Sequence, residues 1–288
     1  MPGAKQKLPL SLCAALLAMQ GTAGAEQLPL WEIGAGGGFL TAPDYRGSNQ
    51  THSYAVPLLM PFYRGKILRA DESGIRGELF KTERTRLDLS FDGSVPVDSE
   101  KNQARSGMPD LDATVQIGPA LNIKLWQDNS ARQALIGYLP VRAAFAVSPS
   151  SFDKLGYTFT PQLWYHRKVG FIDGDWQLGL SAGVEYGSDA FHDYYYRVAP
   201  QYQTAQRKAF DASSGYGGYR SNFTFYRRFN NGWASLFARY DNISHASFAD
   251  SPLITQQKGF TVGLIATWFV AQSHTRVKAE DWRYRGNF

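Results

Sequence analysis

The sequence predicts an all-β fold, a transmembrane antiparallel up-and-down β-barrel of about 12 strands, with about 10 as the alternative count. Apolar and polar residues alternate through runs of ~10 to 15 residues, the length that a tilted strand needs to cross a bilayer. Aromatic residues such as Tyr157, Trp176 and Trp268 stand at the ends of these runs, where an interfacial girdle is expected. After the N-terminal segment, no apolar run approaches the ~18 residues of a transmembrane helix.

The stretch 111–125 is the clearest alternating run. Its odd positions hold mostly aliphatic side chains such as Leu111 and Val115, and its even positions hold polar ones such as Asp112 and Gln116. A period of two places the two sets on opposite faces of a sheet. A soluble β-sandwich also alternates, but these runs exceed the usual ~5–6-residue strand and therefore favour the barrel. The pattern recurs at residues 86–95, 157–166, 176–186 and 260–268.

The apolar face is predicted to contact outer-membrane lipids. It includes Leu87, Leu89, Val115, Leu121, Leu163, Leu178, Leu180 and Leu264. A barrel must pair its first and last strands, because an open edge in lipid leaves backbone groups unpaired. We therefore expect residues 259–269 to close the sheet against residues 31–40.

The N-terminus has the features of a secretory signal. Lys5 and Lys7 are positive, residues 8–19 are apolar but too short to span a membrane, and residues 23–25 are small. We predict a cleaved signal peptide at 1–25, an outer-membrane barrel at 26–270 and a periplasmic tail at 271–288, in a Gram-negative cell envelope. Cys13, the only cysteine, falls in the signal, so the mature chain is expected to lack disulfides.

Connections of two lengths alternate along the chain, and barrels place short turns in the periplasm and long loops outside. Splitting residues 66–80 into two strands at residues 72–74 gives twelve strands, an even number as closure of the barrel requires. The count is ten if those two short strands do not span the membrane. We expect residues 41–51 and 187–215 to be exposed outside, with Phe191 and Tyr194 to Tyr196 at the outer interface. Short turns are predicted at 64–65, 81–83, 127–130, 169–174 and 230–232, and long links at 41–51, 97–109, 148–155, 187–215 and 244–258.

Charge is mixed and gives no support for nucleic-acid binding. The signal holds two of the 30 basic residues, and the 25 acidic residues alternate with the rest instead of clustering. The polar faces of the strands carry both signs, which indicates either a lumen plugged by ion pairs or a narrow solute path, with the plug favoured. These charged residues are Arg86, Asp88, Asp92, Asp112, Lys124, Arg142, Glu185, Arg239 and Asp241.

No motif predicts a catalytic, cofactor or metal site, and any binding site is unknown at this level. Residues 179–183 match G-x-S-x-G, but this hydrolase signature works at a strand-to-helix turn, whereas here it lies within a strand. His192 stands beside Asp193, yet neighbours on an extended chain point apart. No histidine pairs with another at a metal-ligand spacing. The glycines at 34–38 lack the helix of a dinucleotide loop and indicate a closely packed first strand.

Several short motifs resemble the MipA/OmpV family of outer-membrane proteins over nearly the whole mature chain. They are residues 43–48 (PDYRGS), 61–65 (PFYRG), 107–110 (GMPD), 186–189 (YGSD), 194–198 (YYYRV) and the strand at 259–269. The resemblance implies a barrel with a scaffold role and transfers no catalytic residue. One departure concerns the end of the chain, where Phe269 is followed by a polar tail that ends in Phe288.

The resemblance also implies partners. One family member bridges a murein lytic transglycosylase and a bifunctional murein synthase, and others are described as adhesins, porins or stress proteins. We therefore expect a non-enzymatic scaffold for peptidoglycan-synthesising and -cleaving enzymes, without cofactors. The alternatives are a porin-like channel for small solutes, an adhesin and, more weakly, an outer-membrane hydrolase.

Overall fold

The computed structural model describes residues 27–65, 68–71, 74–130, 132–170 and 175–278, so the predicted signal peptide and the end of the tail lie outside the described residues. The strands are β1 (Gln27–Pro29), β2 (Trp31–Pro43), β3 (Thr51–Arg64), β4 (Leu68–Asp71), β5 (Gly74–Lys81), β6 (Thr85–Ser94), β7 (Ala113–Gln127), β8 (Gln133–Val147), β9 (Phe152–Phe159), β10 (Gln162–Gly170), β11 (Asp175–Gly187), β12 (Gly215–Phe229), β13 (Gly232–Asn242), β14 (Lys258–Gln272) and β15 (Arg276–Lys278). One α-helix, α1 (Asp189–Tyr196), and two short 3-10 helices (Ser99–Lys101 and Pro200–Tyr202) lie between strands.

Strands β2 to β14 form a closed antiparallel sheet. β9 and β10 act as one strand interrupted at Thr160 and Pro161, since both pair with β8 on one side and with β11 on the other. Counting them once gives a 12-strand up-and-down barrel, which confirms the predicted fold class. The predicted split of residues 66–80 is also confirmed, because β4 and β5 are separate strands.

The barrel closes between its first and last strands, as predicted. β14 pairs with β2 from Val262–Thr41 to Gln272–Glu32, with a bulge after Phe269. The described part of the tail then folds back, so that β15 pairs with β1 in a two-stranded ribbon at the same end. Ser273 N donates to the carbonyl of Trp31 at 2.9 Å and holds this ribbon to the barrel.

An exposed apolar belt surrounds the barrel. Val115, Leu163 and Leu180 are exposed, and the other five predicted lipid-facing residues are partly exposed. Large exposed apolar surfaces mark contact with another apolar phase, which agrees with a lipid-facing belt. In the part of the chain that the structure describes, no helix has the length and apolar character of a membrane span.

One connection is shorter than predicted. Residues 148–155 were expected to form a long link, but Ser148 N donates to the carbonyl of Ser151 at 3.0 Å in a tight turn. The rings of Phe145 and Phe152 stack at 4.7 Å on the strands beside it. This cross-strand aromatic pair extends the β8–β9 hairpin through a segment whose polar composition indicated a loop.

Replacing Leu163 or Leu180 by Arg is expected to cost ~2–4 kcal/mol of folding free energy in a bilayer, because hydrocarbon cannot solvate a guanidinium near the midplane. The matched control is Val270→Arg, on the outward face near the end of β14, where the cost falls to ~0–1 kcal/mol. Urea titration of the protein folded into phospholipid vesicles measures both. Equal losses at all three positions would contradict the assignment of the belt.

Candidate functional site

The long loops at one end of the barrel fold together into a cap. Its core combines residues from four connections, and the side chains at its centre, Phe248 and Leu253, are fully buried. The ring of Tyr196 stacks on Phe248 at 3.7 Å. The loops therefore form a packed layer over this end of the barrel. The buried core residues are Tyr45, Val97, Met108, Leu111, Tyr196, Val198, Ala212, Ile243, Ala246, Phe248 and Leu253.

The cap corrects the expectation that residues 41–51 are exposed and that Phe191 and Tyr194 to Tyr196 lie at the outer interface, whereas most of residues 201–211 are exposed as expected. Phe191 and Tyr196 are buried, while Tyr194 and Tyr195 pack partly buried against the cap cores. Ser188 caps the N-terminus of α1, and its hydroxyl accepts from Phe191 N. The helix carries these rings inward, where they exclude more water than they would at the rim.

The PDYRGS motif joins the cap to the barrel. Tyr45 Oη donates to the carbonyl of Leu253 at 2.7 Å, and burial raises the pKa of this phenol to about 12. Asp44 accepts from Asn102 Nδ2 at 2.7 Å. Gly47 adopts φ +104° with Ile254 close by, so a side chain there would be strained and would clash. The conformation points Arg46 into the lumen.

Arg46 enters a central ion network with six other charged side chains. It pairs with Glu185 and, through Nε at 2.8 Å, with Asp241. Asp241 also accepts from Arg220 at 3.2 Å and lies 2.9 Å from Arg239. Burial disfavours the charged form of Arg46, but the two carboxylates outweigh it and raise its pKa.

The network reaches across the barrel. Arg220 on β12 lies 3.9 Å from Asp92 on β6, and Arg142 on β8 lies 3.7 Å from the same carboxylate. β6 and β12 stand almost opposite one another in the ring of strands. Ion pairs therefore bridge the lumen beneath the cap, as the plugged-lumen interpretation predicted, around a cavity of about 320 Å³.

A second network lies near the short-turn end. Glu32, only 1% exposed, pairs with Arg64 at 2.7 Å and with Arg228 at 2.5 Å. The guanidinium of Arg228 lies 4.2 Å from the centre of the Phe269 ring. Phe62 is buried against the same cluster. The lumen is thus occupied by side chains at two levels.

The sequence analysis missed Arg46, Arg220, Glu32, Arg64 and Arg228. A signal was present for Arg220, which alternates with the polar residues of β12, and for Glu32, which alternates with the glycines of β2. For Arg46 there was no such signal, since it lies in a loop. Two of the charged residues predicted for the polar faces, Arg86 and Asp88, pair with each other at 2.5 Å. Five more, Asp92, Arg142, Glu185, Arg239 and Asp241, pair within the central network as described above.

A basic groove lies among the short turns. It has a volume of about 140 Å³ and is lined by Lys81, Arg84, Arg86 and Lys124, with Glu83 as its one acidic residue. Lys81, Arg84 and Lys124 are exposed, and none of these three pairs with a carboxylate among the described residues. Such a groove has the charge to attract an acidic group.

The motifs considered for catalysis have structural neighbours. Ser181 lies within β11, where its hydroxyl accepts from Asn222 Nδ2 at 2.8 Å. His192 Nδ1 is 2.7 Å from the carbonyl of Ser213, and Asp193 accepts from Ala212 N at 2.7 Å. His192 and Asp193 thus each contact a different backbone group. No cluster of three or more potential metal ligands occurs within the described ranges.

A comparison with protein families places these features in context. The family described as MltA-interacting protein MipA matches residues 35–270, well over half of the chain. The match includes β3 to β13 entirely and most of β2 and β14, together with the cap loops. The curated proteins contain no match to this chain.

Replacing Arg46 by Met is expected to destabilise the protein by ~3–5 kcal/mol, because Glu185 and Asp241 remain buried with one cation fewer. The control is Arg197→Met, which breaks the exposed pair with Asp211 (side chains 50% and 79% exposed) and should cost under ~1 kcal/mol. Chemical denaturation in lipid compares the two variants. A similar small loss in both would mean that the central network does not hold the cap.

Acid is expected to loosen the cap through His192. Burial lowers the pKa of this fully buried imidazole, against smaller opposite effects of Ser213 and Glu185. The unfolded chain therefore binds the proton more readily, and stability is lost as the pH falls below about 6.5. When the pH is lowered from about 7.5 to about 5, proteolysis of the cap should accelerate in the wild type and much less in His192→Asn. The exposed His245→Asn is the control and should behave as the wild type.

Proposed function

The chain belongs to the MipA family, and from that premise we propose that it is a non-enzymatic scaffold of the outer membrane. Family membership and the closed all-β sheet together support an outer-membrane protein of the scaffold type. In this proposal the short turns face the periplasm. There the protein holds a murein lytic transglycosylase, of the kind in the family's description, near a bifunctional murein synthase.

The observation that carries the proposal is the obstructed lumen. The central ion network bridges the barrel, the Glu32 network fills the other end, and the cap covers the loop end. A solute channel needs a continuous water-filled path, which buried ion pairs and packed aromatic rings oppose. A scaffold needs no path and uses only its rims, so a filled, rigid barrel suits it.

The basic groove is the surface that we propose for partner binding. Lys81 ends β5, Arg84 lies in the β5–β6 turn and Lys124 lies near the end of β7. Lys124 N donates to the carbonyl of Arg84 at 2.8 Å, which ties β7 to that turn. Their positive charges lie on one rigid rim and suit an acidic patch of an enzyme. Electrostatic complementarity of this kind mainly sets the rate and specificity of association.

Co-purification from cross-linked cells tests the proposal. The wild-type chain should capture the two murein enzymes. The double variant Lys81→Glu, Lys124→Glu should capture roughly tenfold less of them, which corresponds to ~1.4 kcal/mol of binding free energy. Lys208→Glu, an exposed lysine of the cap, is the matched control and should capture as much as the wild type. Unchanged capture by the double variant would remove the groove from the proposal.

A planar-bilayer recording separates the scaffold from the channel. The intact barrel should give no steady open-channel current, since the lumen is blocked at two levels. The variant Arg220→Ala removes one ion-pair bridge across the lumen. It is the control that shows whether the recording can detect a current when the lumen opens. Steady currents through the wild type together with no enzyme capture would favour a porin-like channel instead.

A further inference from the structure

The described part of the barrel wall has a window on one side. On the side away from β2, the described residues of β3 pair only at Tyr63 and Arg64, with the short strand β4. Among the residues that the structure describes, β6 pairs with β5 only from Arg86 to Leu89. Above the β4–β5 hairpin, the described parts of β3 and β6 therefore face each other without a strand between them.

The window is framed on all four sides. β3 and β6 bound it laterally, and the β4–β5 hairpin bounds it below. Above it, Asn102 Nδ2 donates to Asp44 at 2.7 Å and Gln50 Nε2 donates to the carbonyl of Lys101 at 2.8 Å. These hydrogen bonds join the β6–β7 loop to the β2–β3 loop above the window. The window therefore opens sideways and not towards the cap.

The inner face of β3 is apolar, unlike that of β6 on the other side of the window. Glu32 points into the lumen, and so do the other even-numbered residues of β2. Residues directly opposite in an antiparallel pair share a face, so the β3 residues paired with these also point into the lumen. They are Phe62, Met60, Leu58, Val56 and Tyr54. Val56 is 41% exposed and Tyr54 37% exposed, although both face inward. By contrast, the inward residues of β6 are Asp88, Ser90, Asp92 and Ser94.

This inner apolar strip joins two other surfaces. Outside, Leu59 on β3 is 71% exposed and Phe91 on β6 is also exposed, so both edges of the window belong to the apolar belt. Inside, Leu40 lies opposite Tyr54 and lines the 320 Å³ cavity, which Val95 on the far edge of the window also lines. Leu40 and Tyr54, which lie directly opposite each other, thus connect the inner apolar strip of β3 with the cavity.

The cavity ends at charged groups. Arg239 and Asp92 are the most open members of the central network, with side chains 35% and 36% exposed. Arg239 uses Nε for Asp241 and Nη2 for Thr261, and its Nη1 has no hydrogen-bond partner among the described residues. One cationic donor is therefore available where the apolar path ends.

We infer that the cavity binds a fatty acid, which enters sideways from the membrane through the window. The hydrocarbon chain lies along Val56 and Leu58, and the carboxylate accepts a hydrogen bond from Arg239. This inference rests on the membrane insertion that the proposed function includes, but not on the binding of murein enzymes.

An added β-strand is a less suitable occupant of the window. Pro57 and Pro61 lie within the β2–β3 ladder, and a proline fits a ladder only where its nitrogen points away from the partner strand. Both nitrogens therefore face the window, and neither carries an N–H. Prolines on an open edge oppose the pairing of another strand.

The test uses the full barrel in phospholipid nanodiscs and a palmitate analogue with a photoreactive diazirine at its methyl end. We expect labelling of Tyr54, Val56 or Leu58, and we expect unlabelled palmitate to abolish it. Labelling confined to lipid-facing positions such as Leu59 and Phe91, or labelling that palmitate does not reduce, would overturn the inference. This map uses the wild-type chain and depends on no variant.

A pair of variants sharpens the result. Val56→Trp fills the inner strip and should lower the competed labelling roughly tenfold, whereas Leu59→Trp, three positions along on the outer face, should leave it unchanged. Heat-modifiable gel mobility confirms that each variant is folded. Equal effects of the two substitutions would count against a site in the lumen. Enzyme capture by the wild type, measured separately, shows whether the scaffold proposal stands when this inference fails.

Discussion

Closure of the sheet between β2 and β14 is the constraint on which the rest of the structure depends. In hydrocarbon an unpaired backbone group costs several kcal/mol, so the first and last strands have to meet along their length. At Gly36 an added Cβ would lie 2.0 Å from the carbonyl oxygen of Ala266, so only glycine allows this approach. Once the sheet is closed, every second side chain of each strand points into a single interior.

The enclosed charges then have to neutralise one another. Asp92, Glu185 and Asp241 come from three strands, and the arginines of the barrel wall are joined by Arg46, which reaches in from a loop. Burying one partner without the other would be strongly unfavourable, so the loop is held in place by the ion pairs that it completes. The cap is therefore joined to the barrel electrostatically as well as by its packed aromatic core.

The ion networks and the cap leave the rim, the window and the cavity beneath the cap for function. The basic groove concentrates positive charge on the rim that we assign to the periplasm, and the window is the place where the strand pairing of the wall is incomplete among the described residues. There, prolines replace backbone donors on the open edge of β3. The scaffold role and fatty-acid binding therefore use different parts of the molecule, and neither needs a pore.

The sequence by itself determined the barrel, its closing strands and its outward-facing apolar side chains, because a period of two and the need for paired edges are local properties of a strand. It also indicated that ion pairs fill the lumen. Only the tertiary structure decided that Phe191 and Tyr196 turn inward, that Arg46 completes the central network and that β3 borders a window. These depend on residues far apart in the chain, and alternation within one strand carries no information about which loop or strand will lie opposite it.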